Sequence, residues 1–97
     1  MRPSEALAKH CDEVLAIIAK YPVVNPRVFG SVARGDDVEG SDLDLLVEPR
    51  FGVTTFVHLG ELQAELAGLL GTDVDVLTPA GLRQPVARRI AEELSPL

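Results

Sequence analysis

One stretch of the chain, residues 28–48, constrains its fold and chemistry more than any other. It reads Val-Phe-Gly-Ser-Val-Ala-Arg-Gly-Asp-Asp-Val-Glu-Gly-Ser-Asp-Leu-Asp-Leu-Leu-Val-Glu. A short apolar strand leads into a turn at Gly30-Ser31, and a second strand then carries Asp42 and Asp44. Alternate side chains of a strand project from the same face, so the two carboxylates are predicted to lie side by side. The stretch therefore predicts an anion-binding turn close to a pair of carboxylates.

Helical and strand patterns alternate along the chain, because apolar residues recur either every three or four positions or every second position. In chain order the predicted elements are a helix over residues 4–20, a brief strand over 27–29, a short helix over 31–35, a strand over 42–47, a helix from Thr54 to Gly71, a strand over 72–77 and a last helix after Gln84-Pro85. Ser4 and Thr54 are suitable N-caps of the two long helices, and Phe56 belongs to the apolar stripe of the second. Asp36 and Asp37 fall in a polar loop and are predicted to be solvated.

These elements predict an α+β fold of two layers, in which residues 1–97 form a single domain around a small mixed β-sheet. A chain of this length buries roughly 60–65% of its unfolded surface, which is enough for one core. Leu43, Leu45 and Val47 are predicted to face that core. Helices packed on one face of the sheet would leave the other face, which carries the Asp residues, open for chemistry.

The charge balance excludes some classes of partner. Lys and Arg number 9 against 15 Asp and Glu, giving a net charge of −6, whereas proteins that hold long nucleic acids by their phosphates rely on clustered cations. Direct binding of long nucleic acid is therefore not expected. Cys11 is the only cysteine, which fits a reducing compartment, and no apolar run is long enough to span a bilayer. We expect a cytoplasmic protein without membrane contact.

A third carboxylate comes from the strand predicted over residues 72–77, where Asp75 lies between Val74 and Val76. Three carboxylates on one face repel each other unless a cation lies between them. Mg²⁺ suits such a site because it takes hard oxygen ligands and keeps water and substrate phosphates in its shell. The alternative is that these Asp residues only mark a solvent face, although strands disfavour Asp. Asp73 shares a face with Asp75 and is the alternative third ligand.

The turn offers several groups to an anion. Gly30 permits close backbone approach to a phosphate, Ser31 offers its hydroxyl and N–H, and Arg34 adds a charge-assisted contact. Gly-Ser turns are common and mostly structural, so the residue types alone do not indicate a phosphate site. The position of Gly30-Ser31 does indicate one. This turn follows an apolar strand directly and precedes Asp42 by a short distance.

The order and spacing of these motifs resemble the signature of the DNA polymerase β-like nucleotidyltransferases. Gly30-Ser31 is followed after ten residues by Asp42-Leu43-Asp44, and the third carboxylate falls in Val74-Asp75-Val76. The longer motifs Gly-Ser-Val-Ala-Arg-Gly, Ser-Asp-Leu-Asp-Leu-Leu-Val-Glu and Thr-Asp-Val-Asp-Val-Leu-Thr-Pro are similar to those of the minimal nucleotidyltransferases of bacteria and archaea. The resemblance covers most of the chain and implies the palm fold of that superfamily.

The resemblance also implies a role for each matching residue. Asp42 and Asp44 would bind a pair of Mg²⁺ ions, and Asp75 would complete the site and help to activate an attacking hydroxyl. Gly30 and Ser31 would hold the triphosphate of ATP. The hydroxyl would attack the α-phosphorus in line, pyrophosphate would leave, and AMP would remain on the acceptor.

Relatives of this size are often paired with a HEPN-domain protein in a toxin–antitoxin system. The resemblance implies that the HEPN protein is a ribonuclease toxin and that this chain is the antitoxin, which adenylylates a tyrosine of the toxin within a hetero-oligomer. An acidic chain suits an electropositive protein partner. One alternative is an antitoxin that inhibits its partner by binding alone. Transfer to a small molecule such as an aminoglycoside would need an acceptor pocket for which the chain has little room.

Overall fold

The computed structural model describes all 97 residues and contains one sheet with helices on both sides. The helices are α1 (Pro3–Lys9), α2 (Cys11–Ile18), α3 (Gly30–Arg34), α4 (Phe56–Leu70) and α5 (Gln84–Glu93), with a 3₁₀ turn at Pro79–Gly81. The strands are β1 (Val23–Phe29), β2 (Leu43–Pro49), β3 (Val74–Leu77) and β4 (Ser95–Pro96). None of the helices combines the length and the apolar character needed to cross a membrane.

The four strands form a mixed sheet in the order β3-β2-β1-β4, which confirms the predicted fold class. β2 pairs with β1 in antiparallel and with β3 in parallel orientation, and β4 pairs in antiparallel orientation with the other edge of β1. β1 starts earlier than predicted and contains an irregularity between Val24 and Arg27, where Asn25 has a φ of 53°. β2 is an inner strand of the sheet, and Asp44 therefore lies between neighbouring strands on both sides.

One face of the sheet carries the main core. Leu43, Leu45 and Val47 of β2 are at most 1% exposed, as their alternation predicts. They belong to one apolar cluster with Val74 and Val76 of β3 and with buried residues of α1, α2 and α4. The helices that cover this face are therefore those whose apolar stripes were predicted to do so.

The opposite face of the sheet is partly covered, because α5 packs across it near β1. Ile90 of α5 forms a second, smaller apolar cluster with Phe29 and Leu46. The chain then returns as β4, a strand that the sequence pattern does not predict. The face that carries the Asp residues is therefore narrower than expected.

The helix predicted over residues 4–20 is two helices joined at His10, which has φ −113° and ψ 22°. On a straight helix Ala6 and Val14 would lie about 80° apart around the axis. Both are buried in the same core, on either side of the break at His10. The predicted cap is also displaced, since α1 begins at Pro3, which needs no N–H partner at the first helical position.

The second long helix begins one residue later than predicted. Thr55, not Thr54, is its N-cap, and Thr55 and His58 bond reciprocally as a capping box. The Thr54 hydroxyl instead accepts the Arg50 N–H at 2.8 Å and ties the preceding loop together. Phe56 follows this cap and is 91% exposed, so its predicted burial is wrong. The predicted end is confirmed, because Gly71 closes α4 with a φ of 68°.

Asp37 corrects the prediction of a fully solvated loop after α3. Its side chain is buried, and its Oδ2 accepts the backbone N–H of Ser4 at 2.8 Å. Ser4 lies in the first turn of α1, where backbone N–H groups have no partner within the helix. Asp37 therefore connects the loop to the start of α1.

Candidate functional site

The turn and the carboxylate strand meet where Gly30 lies against Asp44. Gly30 has a φ of 74°, and a Cβ built on it would overlap Asp44 Oδ2 and lie 3.4 Å from Asp44 Cγ. Only glycine adopts this conformation readily and leaves this space free. The structure thus brings together two motifs that lie apart in the sequence.

The strand pairing then places the other predicted carboxylates relative to Asp44. Asp75 of β3 is the register partner of Asp44, so their side chains leave the same face of the sheet on adjacent strands. Asp42 lies just before β2, two residues from Asp44. Asp42 and Asp75 are exposed, whereas Asp44 is half-buried.

The surroundings of Asp44 raise the pKa of its carboxyl group. Partial burial and the negative charges of Asp75 and Asp42 raise it to about 6, and the positive charge of Arg34 opposes the shift. A carboxylate in this position is more stable beside a cation than alone. The shift provides an electrostatic reason for this face to bind positive charge.

The donor set suits Mg²⁺, although no three His, Cys, Asp or Glu side chains form a ready-made metal cage. Mg²⁺ prefers oxygen ligands and is commonly held by one or two carboxylates, with water and substrate phosphates completing its shell. Asp42, Asp44 and Asp75 supply only carboxylate oxygens. The residues therefore fit a magnesium site that is completed by its substrate.

Asp73, the alternative third ligand, lies one residue before β3. Its carbonyl accepts the Leu43 N–H at 2.9 Å, which starts the pairing of β2 and β3. Its side chain is exposed and borders a groove of about 270 Å³ together with Asp42 and Asp75. The strand register favours Asp75, because it is Asp75 that pairs with Asp44.

Arg34 lies near the site, and its guanidinium is already paired. Its Nη1 donates to Glu93 Oε1 at 3.0 Å and its Nε donates to Asp36 Oδ2 at 3.2 Å. Hydrogen bonds to Asp36 and then Glu93 raise the pKa of Arg34 above its ordinary value. Ser31, the neighbour of Gly30 in α3, is half-buried.

Glu93 is the residue of this site that the sequence analysis misses. It is the last residue of α5, and its Oε2 accepts the Gly30 N–H at 3.2 Å. The two residues are 63 positions apart, and nothing in the motif distinguishes Glu93 from its neighbour Glu92. Only the packing of α5 against the sheet brings Glu93 to the turn.

Comparison with known proteins gives an independent indication of the family. Residues 11–97 match the model of the nucleotidyltransferase domain. A protein of Methanocaldococcus jannaschii assigned as a protein adenylyltransferase is 37% identical over 81 residues, which cover 84% of this chain and 86% of that protein. The protein adenylyltransferase MntA of Thermococcus cleftensis is 34% identical over 67 residues, which cover 69% of this chain and 67% of that protein.

Solved structures with the same fold extend the comparison. A structure assigned as a minimal nucleotidyltransferase has a TM-score of 0.83 and 40% identity over 97% of this chain and 95% of its own. A chain from a toxin–antitoxin structure with AMP-PNP has a TM-score of 0.75 over 88% of this chain and 69% of its own; at 18% identity this shows a shared fold alone. The chain belongs to the nucleotidyltransferase domain family and is a nucleotidyltransferase with the fold of the minimal members, as its motifs imply.

Proposed function

We propose that this chain is an antitoxin that uses Mg²⁺ to transfer AMP from ATP to a hydroxyl of its toxin partner. The observation that carries the proposal is the contact of Gly30 with Asp44, next to Asp75 in the sheet register. It places a backbone suited to phosphates directly beside carboxylates suited to Mg²⁺. The relatives named protein adenylyltransferases support the same reaction.

Each residue of the site has a task in this reaction. Gly30 and Ser31 bind the triphosphate, and Arg34 adds positive charge. Asp42, Asp44 and Asp75 would hold Mg²⁺, which neutralises charge that develops on the phosphate oxygens. Asp75, which is exposed and lies on the edge strand β3, helps to orient and deprotonate the attacking hydroxyl. That hydroxyl attacks the α-phosphorus, and pyrophosphate leaves in line.

The acceptor in this proposal is a tyrosine of a HEPN-domain toxin that forms a hetero-oligomer with the chain. The resemblance of the motifs to those of minimal nucleotidyltransferases suggests this partner. Support comes from the toxin–antitoxin structure that shares the fold. The net charge of −6 is compatible with an electropositive partner surface.

A labelling experiment tests the proposal. The chain is incubated with ATP labelled at the α-phosphate, Mg²⁺ and the candidate toxin, and mass spectrometry locates any added adenylate. Asp44→Asn should abolish labelling. Glu48→Gln is the matched control, because Glu48 lies on the same strand and the same face but pairs with Arg27 at 3.8 Å, away from the turn. A folded chain that never transfers label to the toxin contradicts the proposal.

Neutralisation by binding alone is the second candidate, and two observations favour it. Glu93 already occupies the Gly30 N–H, and the carboxylates do not form a metal cage by themselves. This candidate predicts that the double variant Asp42→Asn, Asp44→Asn neutralises the toxin as well as the parent chain does. The catalytic proposal predicts that the double variant still binds the toxin and leaves it active.

A further inference from the structure

Glu93 holds two of the groups that the proposed function assigns to the triphosphate. Its Oε2 accepts the Gly30 N–H at 3.2 Å and its Oε1 accepts Arg34 Nη1 at 3.0 Å. Its side chain is 22% exposed, so the carboxylate is partly shielded from solvent. One carboxylate of α5 therefore makes the contacts that an anionic substrate would need.

The space around Glu93 has the size and charge of an anion pocket. A cavity of about 540 Å³ lies between α5 and the turn, with Phe29, Val86 and Ile90 as its apolar wall. Its polar lining is Gly30, Arg34, Arg89 and Glu93. Ligand pockets commonly measure about 300–1,000 Å³. The lining carries two arginines and one carboxylate, and Arg34 keeps its Asp36 partner when Glu93 moves away, so Arg89 adds the remaining positive charge.

A triphosphate and Glu93 cannot use these donors together. Phosphate and carboxylate oxygens both accept charge-assisted hydrogen bonds from N–H and guanidinium groups. The Gly30 N–H has one hydrogen to donate, and two anions in one partly buried pocket repel each other. Glu93 is the last residue of α5 and its side chain reaches solvent in part, so rotation of the side chain toward solvent would release both donors.

We propose that Glu93 is an internal substitute for a substrate phosphate, which accepts the Gly30 N–H and pairs with Arg34 until the triphosphate of ATP binds and displaces it. This inference rests on the proposed function, since it takes ATP as the ligand. The displaced contacts lower the affinity for ATP, because two charge-assisted hydrogen bonds must break first. Glu93 therefore raises the ATP concentration that is needed to fill the site.

Calorimetric titration with ATP and Mg²⁺ tests this inference on the full chain. Glu93→Gln removes the charge and should tighten ATP binding by about tenfold, which corresponds to about 1.4 kcal/mol. Glu92→Gln is the matched control, because it removes the same charge from the exposed neighbour on the same helix. That control should change the affinity by less than about twofold, as expected for a screened surface charge.

A second readout follows the backbone of the turn. The Gly30 amide resonance of the parent chain should shift on Glu93→Gln without ligand and shift again on ATP addition. A folded Glu93→Gln chain that binds ATP as weakly as the parent, or more weakly, overturns the inference and makes Glu93 a support for the turn. If the parent transfers AMP in the labelling experiment and this result is found, only the inference fails. If neither chain binds ATP, the inference and the proposed function fail together.

Discussion

The two faces of β2 differ more than any other neighbouring regions of this molecule. Leu43, Leu45 and Val47 point into the main core and are at most 1% exposed. Asp44, between them, points to the opposite face, where its contacts are the Gly30 turn and the charges of Asp42 and Asp75. Residues that are adjacent in sequence thus serve packing and chemistry separately. Changes of the three core residues should act on stability, and changes of Asp44 should act on nucleotide transfer.

The largest effect is expected on the core face. Leu45→Ala should lower the free energy of unfolding by about 2–5 kcal/mol, because Leu45 is 1% exposed and truncation leaves a cavity. Urea unfolding measures the loss. Leu45→Met, which keeps the volume, should cost less than about 1.5 kcal/mol. A loss for Leu45→Ala below about 1.5 kcal/mol, as small as that expected for Leu45→Met, would mean that the core tolerates cavities and that the contrast between the faces is weaker than the burial suggests.

Asp44→Asn should reduce nucleotide transfer and leave the stability unchanged. Loss of the charge should reduce nucleotide transfer by about a hundredfold or more, because metal-held charge stabilisation supplies several kcal/mol to such reactions. The stability should not fall, since the Asp44 carboxylate is half-buried and is repelled by Asp75 and Asp42. Transfer rates and urea unfolding are measured on the same sample. A variant that loses activity only because it unfolds would remove the distinction between the faces.

Gly30→Ala tests the contact between the turn and Asp44. Two costs are expected, about 1 kcal/mol for the positive φ and a further ~1–3 kcal/mol for the overlap with the Asp44 carboxylate. Gly35→Ala is the control, because Gly35 has a φ of 78° and nothing within 4 Å of a built Cβ. It should show only the first cost. In an Asp44→Ala background the second cost of Gly30→Ala should disappear, and its persistence there would contradict the contact.

The smallest effect is expected at Asp37, which lies outside both faces. Burial acts to raise its pKa, but hydrogen bonds from Ser4 and the charge of Arg2 outweigh burial and hold the pKa below its ordinary value. Because the folded-state pKa is depressed, the stabilisation is present above the unfolded pKa and is lost as the pH falls below it.

The test compares unfolding of the parent and Asp37→Asn between pH 7 and pH 3. The parent should lose about 1 kcal/mol more than Asp37→Asn over that interval, in line with one hydrogen bond to a charged group. Asp12→Asn, an exposed substitution in α2, is expected to follow the parent. Parallel curves for the parent and Asp37→Asn would show that the Ser4 contact does not depend on the charge.

The predictable part of the site is the part carried by local patterns. The alternation around Asp42 and Asp44 predicts their strand and its buried face, and the spacing to Gly30-Ser31 predicts the turn. The end of the second long helix at Gly71 is predicted in the same way, and Gly71 closes α4 with a φ of 68°. These features depend on residues that lie close together in the sequence, so the sequence contains the information needed to predict them.

The missed features depend on contacts between distant segments. His10 interrupts a continuous helical pattern, and Ala6 before it and Val14 after it are buried in one core. Asp37 is buried because α1 presents the Ser4 N–H to it across 33 positions of sequence. Neither contact leaves a periodic signal, and both look like ordinary surface chemistry in the sequence.

The sequence by itself determined the family and the face of β2 that enters the core, and it predicted Asp42, Asp44 and Asp75 as the carboxylates of the site. Periodicity and motif spacing suffice for these, because side-chain direction in a strand follows from the backbone. Only the tertiary structure decided that α5 crosses the charged face and that Glu93 reaches Gly30. The physical reason is that helix docking depends on the apolar surface that remains after the first core has formed, here Phe29, Leu46 and Ile90.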